Sequence, residues 1–263
     1  MPKQVFAKLV KKEKLLDGLY KFSLETKEIV DIVKPGNFIE IRINENLDPF
    51  LRRPISIYNI EKEKGIIEII FQVKGKGTEL LSKKQEGDFI DIIGPLGNGV
   101  FKFEKHKNIA VIGGGIGIFP LYELTKEAKE LNLNIDTYIG FRNKELVVLE
   151  KEFENTSNNL TITTDDGSYK NKGFAIDYLK ENLKTKKVDC IYTCGPLPMI
   201  KAVKALAKEN NIECQISLEE KMGCGLGVCL GCAVKTAESS KEDPQYVHVC
   251  KDGPVFESKT VEI

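Results

Sequence analysis

Four cysteines constrain this chain more than any other feature. Cys224, Cys229, Cys232 and Cys250 read C-x4-C-x2-C with a fourth cysteine further on, and Gly223, Gly225, Gly227 and Gly231 are interleaved with the first three. The triplet has the spacing of plant-type [2Fe-2S] ligands. Such a cluster needs four thiolates, and the glycines let the backbone wrap a compact anion and aim N–H groups at its sulfurs. A structural zinc ion held by four cysteines is the competing reading, although zinc sites more often show two short knuckles than a triplet and a distant singleton. With seven cysteines and no signal-peptide pattern at the start, metal ligation and buried thiols are expected in place of a disulfide framework.

At 263 residues the chain has room for two domains and a small appendage. Its 39 Lys and Arg cancel its 39 Asp and Glu, so no net field draws it onto nucleic acid or an anionic membrane. The longest apolar runs, 66–71 and 109–112, fall far short of the ~20 residues that span a bilayer. A cytoplasmic protein is expected. His106 and His248 are its two histidines, which leaves little room for His-based catalysis.

The chain before residue 100 reads as short strands at 5–10, 19–24, 37–43, 53–58, 65–73 and 88–92, with one short helix at 78–82. That spacing suggests a small antiparallel barrel or sandwich. The glycine-dense run 94–99 reads as a boundary. Strands at 109–112, 136–141, 160–164, 190–193 and 213–218 then alternate with helices at 120–131, 146–153, 173–183 and 198–209, the pattern of a parallel sheet covered on both faces. Beyond residue 218 both periodicities vanish. The expected division is 1–102, 103–218 and 219–263.

Gly113, Gly114, Gly115 and Gly117 follow an apolar strand and precede a helix, with Pro120 in its first turn. A pyrophosphate sits at such a turn on backbone amides. A merely tight strand-to-helix turn is the plainer alternative. Cys194, Gly195 and Pro196 end a later strand, where open α/β sheets bind ligands, although Cys194 also reads as a buried structural thiol. Arginine is scarce: besides Arg42 and Arg142 there is only the adjacent pair Arg52 and Arg53. Arg53 opens Arg53-Pro54-Ile55-Ser56, and Gly77 with Thr78 opens the short helix, so the first domain holds spare phosphate-binding groups. Nicotinamide delivers two electrons as hydride and an iron–sulfur cluster takes one, so a chain with both sites lacks a flavin to split the pair.

Taken together, R-P-I-S with G-x-G-T, then G-G-G-x-G-x-x-P, then C-G-P-x-P-M resemble the ferredoxin-reductase superfamily over the whole chain. The tail, from Glu220 through Cys232 and again from Val249 to Phe256, resembles more narrowly the electron-transfer subunits of NAD-dependent (class 1B) dihydroorotate dehydrogenases. The resemblance implies FAD on an antiparallel β-barrel, NAD on an α/β domain and [2Fe-2S] on a small C-terminal domain. It implies an FMN-containing catalytic partner in a heterotetramer with two copies of each subunit. It places Arg53, Pro54, Ile55, Ser56, Ile70, Phe71, Gln72, Gly77 and Thr78 on FAD. Gly113, Gly114, Gly115, Gly117, Cys194, Gly195 and Pro196 fall on NAD, and the four tail cysteines on the cluster. Glu219 and Glu220 are read as surface residues or as neighbours of the flavin. Small FAD/[2Fe-2S] subunits of bifurcating NADH-ferredoxin oxidoreductases and sulfide dehydrogenases share this layout and remain an alternative, as does a zinc-stabilised binding module without redox chemistry.

Overall fold

Six strands turn alternate apolar side chains inward and close on themselves. They are β1 (Lys3–Leu16), β2 (Leu19–Glu25), β3 (Phe38–Ile41), β4 (Arg53–Glu61), β5 (Ile66–Gln72) and β6 (Phe89–Leu96), in the barrel order β1-β2-β5-β4-β3-β6. The computed structural model describes residues 1–44, 48–103 and 105–263. Closure is made by β1 and β6, antiparallel with Val5 opposite Ile92 and Ala7 opposite Ile90, which leaves neither strand with an open edge. Phe22, Leu24, Ile39, Ile41, Ile57, Ile67, Ile69 and Phe71 fill the interior, each contributing roughly 1.5–3 kcal/mol by burial. Helix α1 (Lys76–Ser82) adds Leu81 to that core.

A parallel sheet follows. Its strands are β7 (Asn108–Gly114), β8 (Asn134–Phe141), β9 (Asn159–Thr164), β10 (Asn171–Lys172), β11 (Cys190–Cys194) and β12 (Glu213–Ser217), joined through helices α2 (Phe119–Glu130), α3 (Glu150–Thr156), α4 (Ala175–Asn182) and α5 (Leu197–Glu209). The tail adds β13 (Ala233–Lys235) and β14 (Tyr246–His248), which pair with each other, and β15 (Val255–Glu257). The sheet order is β10-β9-β8-β7-β11-β12-β15. From β7 the chain proceeds to β8 on one side and later to β11 on the other, so the strand order reverses between β7 and β11. That reversal opens a crevice at their C-terminal ends. Helices α2 and α3 pack together, as do α4 and α5.

The chain divides into two compact units. One comprises Met1–Val100, Glu219–Ala233 and Val247–Pro254; the other comprises Phe101–Leu218, Val234–Tyr246 and Val255–Ile263. Several elements depart from the sequence reading. Residues 94–96, read as part of a boundary, extend β6. The helix expected at 146–153 starts at Glu150, because Leu149 takes a left-handed φ of 62° that no continuing helix tolerates. The tail is not without strands: β15 lies antiparallel on β12, with Gln215 opposite Glu257 and Ser217 opposite Val255. Among the described residues no helix is long and apolar enough to cross a membrane.

Candidate functional site

The four tail cysteines lie in one compact unit and gather two by two. Cys232 and Cys250 bring their sulfurs to 3.2 Å. The sulfur of Cys224 accepts from the backbone N–H of Leu226 and Val228 at 3.3 Å and of Cys229 at 3.4 Å. Burial pushes the Cys224 thiol up, but these N–H donors outweigh it and hold the group at about 6. Burial, reinforced by Cys232, pushes Cys250 up to about 12. Gly227, at φ +77°, donates its N–H to the Cys250 sulfur at 3.1 Å. A β-carbon at Gly223 or Gly231 would lie 3.3 or 3.6 Å from the Cys229 sulfur. Two thiol pairs, each with amides aimed at it, suit a two-iron centre, with two ligands per iron, better than one tetrahedral ion.

Cys250 reaches its partner because the barrel's exit holds it there. Asn98 N–H donates to the Lys251 carbonyl and Gly99 N–H to the Gly253 carbonyl, each at 2.9 Å. Gly97, at φ +86°, sits so close that a β-carbon would meet Pro254 Cδ at 2.5 Å. The glycines read as a domain boundary are thus the mount for the fourth cysteine. Their density was the available signal, but its purpose could not be read without the partner segment.

On the barrel the two adjacent arginines have different fates. Arg52 grips Asp91 with Nη2 at 3.0 and 2.8 Å, and its Nη1 donates to the Asp91 carbonyl at 3.1 Å, so it is structural. Arg53 instead lies across the start of α1, with Nη1 donating to the carbonyls of Leu51 at 2.7 Å and Arg52 at 3.2 Å. A β-carbon at Gly77 would stand 2.6 Å from Arg53 Nε. This glycine makes the cradle in which a guanidinium and a helix start meet, and the pair fits a phosphate. Thr78 is already engaged: its hydroxyl oxygen accepts from Lys74 N–H at 2.9 Å and donates to the Gly75 carbonyl at 3.0 Å. Phe71 stacks edge-on against Phe22 inside the barrel, so only its main chain is open to a ligand. Ile55 packs on the same core, Ile70 is buried and Gln72 is exposed. Pro54 and Ser56 pair with Glu40 and Phe38 of β3.

At the crevice of the sheet two turns interlock. Gly113 pairs with Cys194 in the register of β7 and β11. A β-carbon at Gly117 would fall 2.4 Å from Gly195 Cα and 2.6 Å from the Cys194 carbonyl oxygen, so only glycine allows the backbones this close. Gly114 faces Pro196 and Met199, and Gly115, at φ +55°, has open space around it. A pyrophosphate fits at that bare, amide-rich corner. Met199, in the same C-G-P-L-P-M run, also packs against Gly195. Cys194 is only 1% exposed. Asp136 is tied to Asn159 at 2.6 Å and to Lys186 at 2.7 Å, a structural role at the start of β8. Cys190 and Cys214 are buried, and burial pushes both thiols up. Glu219 and Glu220 are exposed.

Three family models match this chain: an oxidoreductase FAD-binding domain over residues 7–101, an oxidoreductase NAD-binding domain over 111–205, and the iron-sulfur cluster binding domain of dihydroorotate dehydrogenase B over 219–262. The dihydroorotate dehydrogenase B (NAD(+)) electron transfer subunit of Bacillus velezensis is 38% identical over 249 residues, 94% of either chain. That of Bacillus pumilus is 38% identical over 261 residues, 98% of either chain. A solved chain of an NADH-dependent reduced ferredoxin-NADP oxidoreductase, studied for flavin-based electron bifurcation, superposes with a TM-score of 0.87 at 32% identity. It covers 98% of this chain and 90% of that one.

Proposed function

Because the chain belongs to the family of electron-transfer subunits of dihydroorotate dehydrogenase B, we propose that it carries electrons between a catalytic partner and NAD, supporting oxidation of dihydroorotate to orotate in pyrimidine biosynthesis. The observation that carries this reading is the two-by-two gathering of Cys224, Cys229, Cys232 and Cys250 in the same compact unit as the Arg53–Gly77 cradle. In this reading residues 1–102 hold FAD, 103–218 hold NAD and 219–263 hold [2Fe-2S]. Bound FAD supplies the exchange between two-electron hydride chemistry at nicotinamide and one-electron traffic at the cluster.

The chain's own residues bind and orient. Arg53 neutralises a flavin phosphate, while Gly77 and Thr78 present main chain beside it. Pro54, Ile55 and Ser56 would hold the flavin together with Arg53, Ser56 near its ring, and Ile70, Phe71 and Gln72 would contact it from β5, Phe71 by main chain. Gly113, Gly114, Gly115 and Gly117 would cradle NAD, and Cys194, Gly195 and Pro196 would lie close to the nicotinamide. The four tail cysteines ligate the cluster as thiolates. Leu226, Val228 and Leu230 are exposed around Cys229 and offer the partner an apolar landing. That partner is an FMN-containing catalytic subunit, two copies of each forming a heterotetramer in the cytoplasm.

A second reading keeps the chemistry and changes the partner to the large subunit of a bifurcating NADH-ferredoxin oxidoreductase or sulfide dehydrogenase; the likeness to the solved oxidoreductase chain favours it. Absorption and low-temperature EPR spectra of anaerobic protein, before and after NADH, test the shared chemistry: a flavin band over broad iron–sulfur absorbance, with a rhombic [2Fe-2S] signal on reduction, is expected. Cys229→Ser should abolish reduction of the partner while FAD is still reduced by NADH; a variant that retains both activities contradicts the assignment. Co-purification with an FMN protein supports the dihydroorotate reading, and with a subunit rich in cubane clusters the alternative.

A further inference from the structure

One carboxylate of the barrel unit has no partner. In β3, Ile39 and Ile41 point into the core, so Phe38 and Glu40 point outward. Outward residues of a small barrel ordinarily meet water, yet Glu40 is 1% exposed, and neither of its carboxylate oxygens has a hydrogen-bond partner among the described residues. What covers it is the cysteine loop. A β-carbon at Gly225, the residue after Cys224, would stand 2.5 Å from both Cγ and Oε1 of Glu40. Its strand neighbours are Pro54 on β4 and Ile93 on β6, neither of which carries a side-chain donor.

The nearby cations are committed elsewhere. Arg52 clamps Asp91 and reaches only the backbone carbonyl of Glu40, at 3.5 Å, and Arg53 donates to the carbonyls of Leu51 and Arg52. Burial is the largest influence on the carboxyl and pushes it up to about 7; Arg52 and, more weakly, Arg53 draw it down, and Cys224 pushes it up. A buried carboxyl without a donor costs folding free energy, and an apolar side chain of similar volume would serve packing as well or better. Its position, opposite the Arg53–Ser56 strand and beneath the cysteine loop, gives that cost a purpose.

We propose that Glu40 is a positioning residue for the redox centre: through Gly225 and Cys224 its carboxyl sets the reduction potential of the cluster held by the four cysteines. This rests on the cluster reading above. Reduction adds one electron, delivered by the partner subunit and passed on toward nicotinamide, and no bond to the protein forms or breaks. The added charge is negative, so a carboxylate beside the ligand loop opposes it and makes the centre a weaker acceptor.

The test is an EPR-monitored redox titration of the purified complex at a series of pH values, with Glu40→Gln and Glu40→Leu beside the parent. Both variants should keep the parent's iron content and g-values and move the potential upward by about tenfold in the one-electron equilibrium, about 59 mV. The leucine variant replaces unpartnered oxygens with carbon, so it keeps the measurement available if Glu40→Gln assembles poorly. A variant that holds its cluster at the parent potential overturns the proposal. Loss of the cluster from both variants, with FAD still bound, also overturns it and makes Glu40 an assembly residue. A parent complex without a [2Fe-2S] signal overturns the functional reading itself.

Discussion

Replacing Gly77 by alanine should separate flavin retention from folding. The new β-carbon would stand 2.6 Å from Nε, 2.9 Å from Cζ and 3.0 Å from Nη2 of Arg53. The group that yields is the guanidinium, the free end of a flexible side chain held by carbonyls of Leu51 and Arg52. Losing one such bond costs about 1 kcal/mol, and alanine in place of glycine within α1 returns roughly the same amount. The flavin-free protein should therefore melt within a few degrees of the parent. Moving the guanidinium off a phosphate removes a charge-assisted contact of about 1.5–3 kcal/mol, which weakens FAD binding roughly 10- to 150-fold. Fluorescence titration of FAD into flavin-stripped protein, run beside a thermal melt, reads both quantities. Arg53→Ala should match the alanine variant, since both remove one contact. If Gly77→Ala binds FAD like the parent, Arg53 does not hold the phosphate from this cradle and the reasoning fails.

Other outcomes follow from the same geometry. Gly117→Ala forces a β-carbon onto the backbone of Cys194 and Gly195, so it should cost about 1–3 kcal/mol in chemical denaturation and slow flavin reduction by NADH; an unchanged midpoint would show that the turns are not interlocked. Gly115→Ala meets open space but keeps a φ of +55°, so its cost should be about 1–2 kcal/mol, from backbone conformation alone. Asp189 accepts from Lys107 and Asn108 N–H at 2.9 Å, and these bonds hold its carboxyl below its ordinary 3.8. Asp189→Ala should cost about 1 kcal/mol near neutrality. Because the folded pKa is the depressed one, the stabilisation is complete above the unfolded value and disappears as pH falls through the folded value; urea melts that differ equally at neutral and strongly acid pH would contradict this. Cys190 and Cys214, buried with raised thiols, should resist iodoacetamide until unfolding, and mass spectrometry that finds either labelled in native protein would refute their placement.

What could be read from sequence was whatever repeats locally. The apolar strand before Gly113 and the short strands β2 and β5 are carried by neighbouring residues, and each stands where it was expected. What depends on distant segments was opaque. Arg52 and Arg53 are indistinguishable until Asp91 is seen to take one of them. Glu40 looks like any outward strand residue, because its cover arrives with Gly225. The length of β1 was underestimated because its second half is lysine-rich and owes its extension to pairing with β2. Strand β15 is three residues long, too short for any periodicity to register, and is defined only by the edge of β12.

The path of the chain also sets an order of events during synthesis. Cys224, Cys229 and Cys232 precede Cys250, which is separated from them by the β13–β14 pair. A ribosome shields the most recently made stretch of polypeptide in its exit tunnel, so the first three thiols emerge while the fourth is still enclosed. Iron and sulfide delivered in that interval would find three ligands of four. In the reading proposed above, a complete set of four thiols exists only once Cys250 has cleared the tunnel, when the barrel exit at Asn98 and Gly99 can clasp the segment that brings it to Cys232.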